Sequence, residues 1–258
     1  MVCARISWIS AAWCAEQIGD AGSLRWRAEV SPAHAGQVLW SELPVHVIDF
    51  EGDRSGGIVE YGVVTLFGGE IAALHTRLCR PRRPVLARDT RVHGLSDGDV
   101  QSAAPFELDW DRFAAWRASG VFAAHFSGTE NALLRDCWPC PRLSPDFLRP
   151  GVEIAEWGPW IDTGRLLLAA QPRRTSAALA DGVAALGLER ELEKAAARWC
   201  PSARAAYHCA PYDALAAALL LHRLAVSDTG KAWTLARVLA ASTGNNDRRD
   251  DLLQERLF

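Results

Sequence analysis

The chain has 258 residues, 49% of them hydrophobic and 23% charged, which suits one α/β domain with extensions or at most two small domains. Its net charge of −3 excludes a general electrostatic attraction to nucleic acid, so any such binding has to come from a local patch. Seven irregularly spaced cysteines do not describe a secreted disulfide framework, and no apolar run approaches the ~20 residues of a membrane helix.

Residues 1–43 carry Trp8, Trp13, Trp26 and Trp40. That is too much aromatic surface for a free tail, so this extension is expected to pack on the core or to form an interface with a partner or a second copy. The apolar stretch after Arg5 is broken by serines and contains two tryptophans, which reads as a mature cytoplasmic start and not as a signal peptide. Alternating apolar runs predict strands at 45–50, 58–67 and 71–79, with Gly56-Gly57 and Gly68-Gly69 as turns. Arg77, Arg80, Arg82, Arg83, Arg88 and Arg91 then form a basic run opposed only by Asp89. It reads either as a solvated, proline-broken loop or as a contact for phosphate.

Ser96 is placed to cap a short helix from Asp97, and the spacing of Phe106, Trp110, Phe113 and Trp116 predicts a helix over 106–118. A strand at 121–125 follows, then a helix carrying Glu130 that Thr129 is expected to cap. Cys137 and Cys140 read as reduced thiols in a connecting loop, because no second Cys-x-x-Cys completes a zinc site. After a proline-rich loop over 139–150, a fifth strand is expected at 157–162. Helices are expected near 163–170, 176–187, 189–199, 211–225 and 230–241, before a charged end at 247–251. Three antiparallel strands followed by alternating strands and helices indicate a mixed α/β sheet of about five strands flanked by helices.

Chemistry concentrates in three places. Asp49 and Glu51 stand one residue apart at the end of an apolar strand, so their carboxylates share a face. Two acids held side by side repel unless a cation lies between them, and oxygen ligands suit Mg²⁺ or Mn²⁺. Glu130 sits at the head of an apolar helical segment after His125-Phe126-Ser127. His208 and Asp213 are five positions apart, with Pro211 suited to the first helical position between them.

With these segments in order, the chain resembles the DEDDh branch of the 3′→5′ exonucleases over about residues 45–225. Asp49 and Glu51 match its first motif and His208 and Asp213 its third, while Asp162-Thr163 looks like the strand-to-helix segment between the second and third. The second motif departs: the family usually has Asp at the position of Glu130 and Asn at that of Phe126. The resemblance implies an RNase H-like fold, with an exonuclease domain at 44–226 between the extension at 1–43 and a helical tail at 227–258. It implies two Mg²⁺ or Mn²⁺ ions held by Asp49, Glu51, Glu130 and Asp213, and His208 as general base. His93, Gly94 and Leu95 would hold the terminal nucleotide, with Arg88 and Arg91 at the substrate phosphates.

The function expected is a metal-dependent 3′→5′ exonuclease releasing 5′-mononucleotides, DNA favoured over RNA, acting in the cytoplasm on nucleic acid with a free 3′ end. The other reading is a nucleic-acid-binding subunit or assembly module of a larger complex with a weakened site, motivated by Glu130, Phe126 and the aromatic extension. Retention of His208 argues against it, since a binder needs no base.

Overall fold

The computed structural model describes residues 11–18, 23–30, 38–226 and 230–254. Strands β1 (Ala11–Ile18) and β2 (Ser23–Val30) pair as an antiparallel hairpin. Trp8 lies outside the described residues, as do the side chains of Trp13 and Trp26. Trp40 is core: it is 1% exposed in a short 3-10 turn, and its indole N–H donates to the Ala225 carbonyl at 2.8 Å.

The main sheet is built first from β3 (Val45–Asp53), β4 (Gly57–Phe67) and β5 (Glu70–Leu78), all antiparallel, as their alternation predicts. Helices α1 (Ala87–His93) and α2 (Asp97–Val100) follow, the second capped by Ser96 in a reciprocal box with Asp99. The aromatic-spaced segment begins as a 3-10 turn at Phe106–Asp109 and continues as α3 (Trp110–Ser119). Strand β6 (Val121–Ala124) leads into α4 (Ser127–Cys137). Two short strands, β7 (Ser144–Pro145) and β8 (Glu153–Ile154), pair with each other.

The fifth sheet strand, β9, spans only Trp160–Asp162 and not 157–162. Gly158 and Pro159 occupy the expected start, and proline has no N–H for a ladder. Then come α5 (Thr163–Ala170), α6 (Leu179–Ala185), α7 (Glu189–Trp199), α8 (Ala210–Leu224), α9 (Leu235–Ser242) and α10 (Asn246–Gln254). The expected charged end at 247–251 is therefore part of a helix, with Leu252 buried against the core.

Strand order is β5-β4-β3-β6-β9, with β6 and β9 parallel to β3. One face, bearing Val45, Val47, Val64 and Leu66, packs against α8 and its neighbours in the larger core. The opposite face, bearing Ile48, Phe50, Tyr61 and Val63, packs against Phe106, Phe113, Leu133, Leu134 and two tryptophans. The same alternation fixes where the acids point. Asp49 and Glu51 continue the face of Val45 and Val47, the side on which α8 lies. No helix among the described residues is long and apolar enough to cross a membrane.

Candidate active site

Asp49 and Glu51 sit where β3 stops being an interior strand. Its parallel pairing with β6 ends at Val47, leaving later backbone groups without a strand partner on that side. The Phe50 amide, between the two acids, donates to the carboxylate of Glu130 instead. A bulge follows at Glu51/Gly52, with Gly52 at φ 132°, a conformation open to glycine.

Helix α4 brings in Glu130, and its first turn is not capped by Thr129. The N-cap is Phe126, in the left-handed region at φ 62°. Asp162, at the end of β9, accepts from the Ser127 amide and hydroxyl at 3.0 and 3.1 Å and from the Arg165 amide at 3.0 Å. One carboxylate thus fixes the starts of α4 and α5, which is the work of the Asp-Thr segment singled out in the sequence.

Helix α8 brings in Asp213. Its N-terminus lies directly over β4, and Gly62, the cross-strand partner of Asp49, makes this approach possible: a Cβ there would overlap the Ala210 carbonyl. Glu60, paired opposite Glu51, accepts the Ala210 amide at 2.9 Å and a two-pronged ion pair from Arg204 at 2.9 and 2.6 Å. Arg204 also donates to the His93 carbonyl at 2.8 Å. This pair joins β4, the turn after α1 and the start of α8. Sequence reasoning missed it, although an acid inside the apolar run of β4 was the available signal.

Glu51, His208 and Asp213 each place one ligand atom within 4.8 Å of the others. His208 is exposed, has φ 64°, and donates its own amide to Asp213 Oδ2 at 3.0 Å. Asp213 is 9% and Glu130 6% exposed, yet Asp213 Oδ1 and Glu130 Oε2 have no hydrogen-bond partner. Buried carboxylate oxygens without donors are costly, and the protons respond. Burial, then Glu130, Asp213 and Glu51, holds Asp49 well above the usual carboxylate range. Burial, then Asp213 and Glu60, lifts Glu51 to about 8. Burial and then Glu51 lift Glu130 to about 8, and burial lifts Asp213 to about 6 against the pull of the His208 amide. Crowded, desolvated acids with orphaned oxygens fit hard divalent cations.

The expected substrate contacts separate into two groups. His93 is buried, with its Nδ1 accepting the Leu95 amide at 3.1 Å, Gly94 caps α1 at φ 74°, and Leu95 packs with Val59 and Val100. Arg204 ties this turn to the site. Arg88 pairs with its neighbour Asp89 at 3.2 Å, and Arg91 is exposed on α1. Among the described residues neither forms an ion pair with a site carboxylate. Much of the basic run is already satisfied: Arg77 by Asp109, Arg82 by Glu107 and Arg83 by Asp53.

No protein-family model matches the chain, and no curated protein sequence matches it. Solved structures do. Exonuclease X in complex with 5′-overhanging duplex DNA is similar at 22% identity and a TM-score of 0.55, over 77% of this chain and 99% of that one. A 3′-exonuclease recognising the histone mRNA stem-loop is similar at 15% identity and 0.52, over 73% of this chain and 64% of that one. The zinc-bound E. coli exonuclease I–single-stranded DNA complex is similar at 11% identity and 0.51, over 70% and 40%. The chain thus spans less than two thirds of the last two proteins. These likenesses establish an RNase H-like mixed α/β fold.

Proposed function

We propose that the chain is a metal-dependent 3′→5′ exonuclease of the DEDDh type, releasing 5′-mononucleotides, with DNA the favoured substrate. The observation that carries this reading is the convergence of Asp49, Glu51, Glu130 and Asp213 from one strand and two helices, with His208 beside them. One oxygen each of Glu130 and Asp213 is left there without a hydrogen-bond partner.

Asp49, Glu51, Glu130 and Asp213 would hold two Mg²⁺ or Mn²⁺ ions, which supply charge stabilisation at the attacking and leaving oxygens of a phosphodiester. The protein's own groups do the rest. Exposed His208 projects from a left-handed residue at the mouth of the site and takes the proton of the attacking water. Asp213 holds the His208 backbone through its amide and so fixes where the imidazole starts. The turn at His93–Leu95, locked through Arg204 to Glu60, supplies a small-residue backbone against which a terminal nucleotide packs. DNA is favoured because exonuclease X, 99% of whose chain in that structure is covered, was solved with DNA.

The test compares wild type with Asp49→Ala and Asp213→Ala on a single-stranded DNA, in Mg²⁺, in Mn²⁺ and in chelator. Loss of cleavage in both variants and in chelator, with unchanged circular dichroism, supports the assignment. Wild-type rates in either variant would remove it.

A further inference from the structure

A cavity of about 710 Å³ opens on another side of α4 from the carboxylates. Ser127, Asn131 and Arg135 recur every four residues and form its α4 wall, while Glu130, Leu133 and Leu134 turn inward. Facing them are Arg165 in the first turn of α5 and Arg248 in the first turn of α10. Gly244 leaves bare backbone under the Arg165 guanidinium, which a Cβ would strike. Three exposed arginines therefore converge on one hollow.

The acids in the wall are Asp162 and Glu156. Asp162 is committed to the starts of α4 and α5, and its distance to Arg165 is 3.9 Å. Arg135 and Arg248 form no ion pair among the described residues. Half-buried Trp160 offers an aromatic wall, its indole N–H held by Asn131 Oδ1 at 3.1 Å. Phe126, the residue before Ser127 of the wall, is 47% exposed and lies against Gly164 of α5. The volume is of nucleotide size, room for a residue or two of a single strand.

We propose that this cavity is a second nucleic-acid subsite. It holds phosphates of a single strand whose 3′ end lies among the carboxylates, and Phe126 is the aromatic step between the two. Guanidinium groups bind phosphate, and sequence-tolerant strand binding joins such groups to exposed rings. The assignment deepens the nuclease reading and rests on it.

The test is fluorescence anisotropy in chelator, so that binding is read apart from cleavage, with a trinucleotide and a strand of about fifteen nucleotides. Wild type is compared with Arg135→Gln/Arg248→Gln, exposed positions whose folding is checked by circular dichroism. The double variant is expected to lose affinity for the long strand, with its log–log salt slope shallower by about 0.7 per arginine removed. Affinity for the trinucleotide is expected to stay within about twofold. Equal loss at both lengths, an unchanged salt slope, or displacement of the long strand by a free mononucleotide with the same arginine dependence would overturn the subsite. Failure of wild type to cleave any strand with Mg²⁺ or Mn²⁺ would overturn the nuclease reading, and the length-dependent binding is read independently of that result.

Discussion

Phe126 and Glu130 are where this chain leaves the pattern it resembles, and the backbone sets the cost of one of the two departures. The residue before Ser127 is left-handed, a conformation that asparagine tolerates and a bulky aromatic resists. The strain of such a residue is of order 1–3 kcal/mol. Phe126→Asn is therefore expected to raise the melting temperature, while weakening binding of strands that depend on an exposed ring. A lower melting temperature would show that packing of the ring against His125 and Gly164 outweighs the strain. For Glu130, Glu130→Gln keeps an acceptor for the Phe50 amide but removes a charge whose carboxyl is pushed up to about 8. Activity should fall and the metal concentration for half-maximal rate should rise, with stability unchanged or improved. Wild-type activity would reduce Glu130 to a first-turn acid. His208→Ala should cut turnover by roughly 10²–10⁴ with little change in substrate affinity, the scale of a lost general base.

At the scale of elements, the site depends on how α8 meets the sheet. Gly62 lets the helix end approach β4, and Glu60 fastens it there through the Ala210 amide and Arg204. Removing Arg204 leaves a 1%-exposed carboxylate with no cation and only the Ala210 amide, and such broken buried pairs cost about 3–5 kcal/mol. Arg204→Met should therefore lower stability by that order and depress activity by displacing His208 and Asp213 together. Intact stability by chemical denaturation would show that Glu60 finds another partner. The three antiparallel strands and the helices of residues 163–170 and 189–199 were legible from alternation and helical spacing, and the matched motifs named Asp49, Glu51, Glu130 and Asp213, which the fold brings close together. What was not legible came from distant partners. Asp162 and Phe126 replace Thr129 at the start of α4, proline shortens β9, and the Glu60–Arg204 pair joins residues 144 positions apart. Local pattern carries no information about such contacts.

Across the whole molecule, two cores on either side of one sheet hold the acids at a crowded edge, and the crowding makes stability depend on protons. Glu51 and Glu130 are raised to about 8 and Asp213 to about 6, whereas unfolded carboxyls titrate near 4. Between those values the folded state holds more protons than the unfolded one, so stability falls as pH rises. Metal-free protein should lose melting temperature from pH 6.5 to 8, and the increment from added Mg²⁺ or Mn²⁺ should grow over the same range. A flat profile, or a metal increment independent of pH, would contradict shared occupancy of one site by protons and cations. The tail shares this body: Leu235, Val238, Leu239 and Leu252 lie in the same core as Val45 and Val47.

The most direct test of the account is the polarity of cleavage. A 5′-labelled single-stranded DNA, with a free or a blocked 3′ end, is incubated with Mg²⁺ or Mn²⁺ and sampled over time. The account predicts a ladder shortening stepwise from the free 3′ end, release of 5′-mononucleotides, and resistance of the blocked strand. Efficient internal cutting of the blocked strand, or of closed circular DNA, would contradict it.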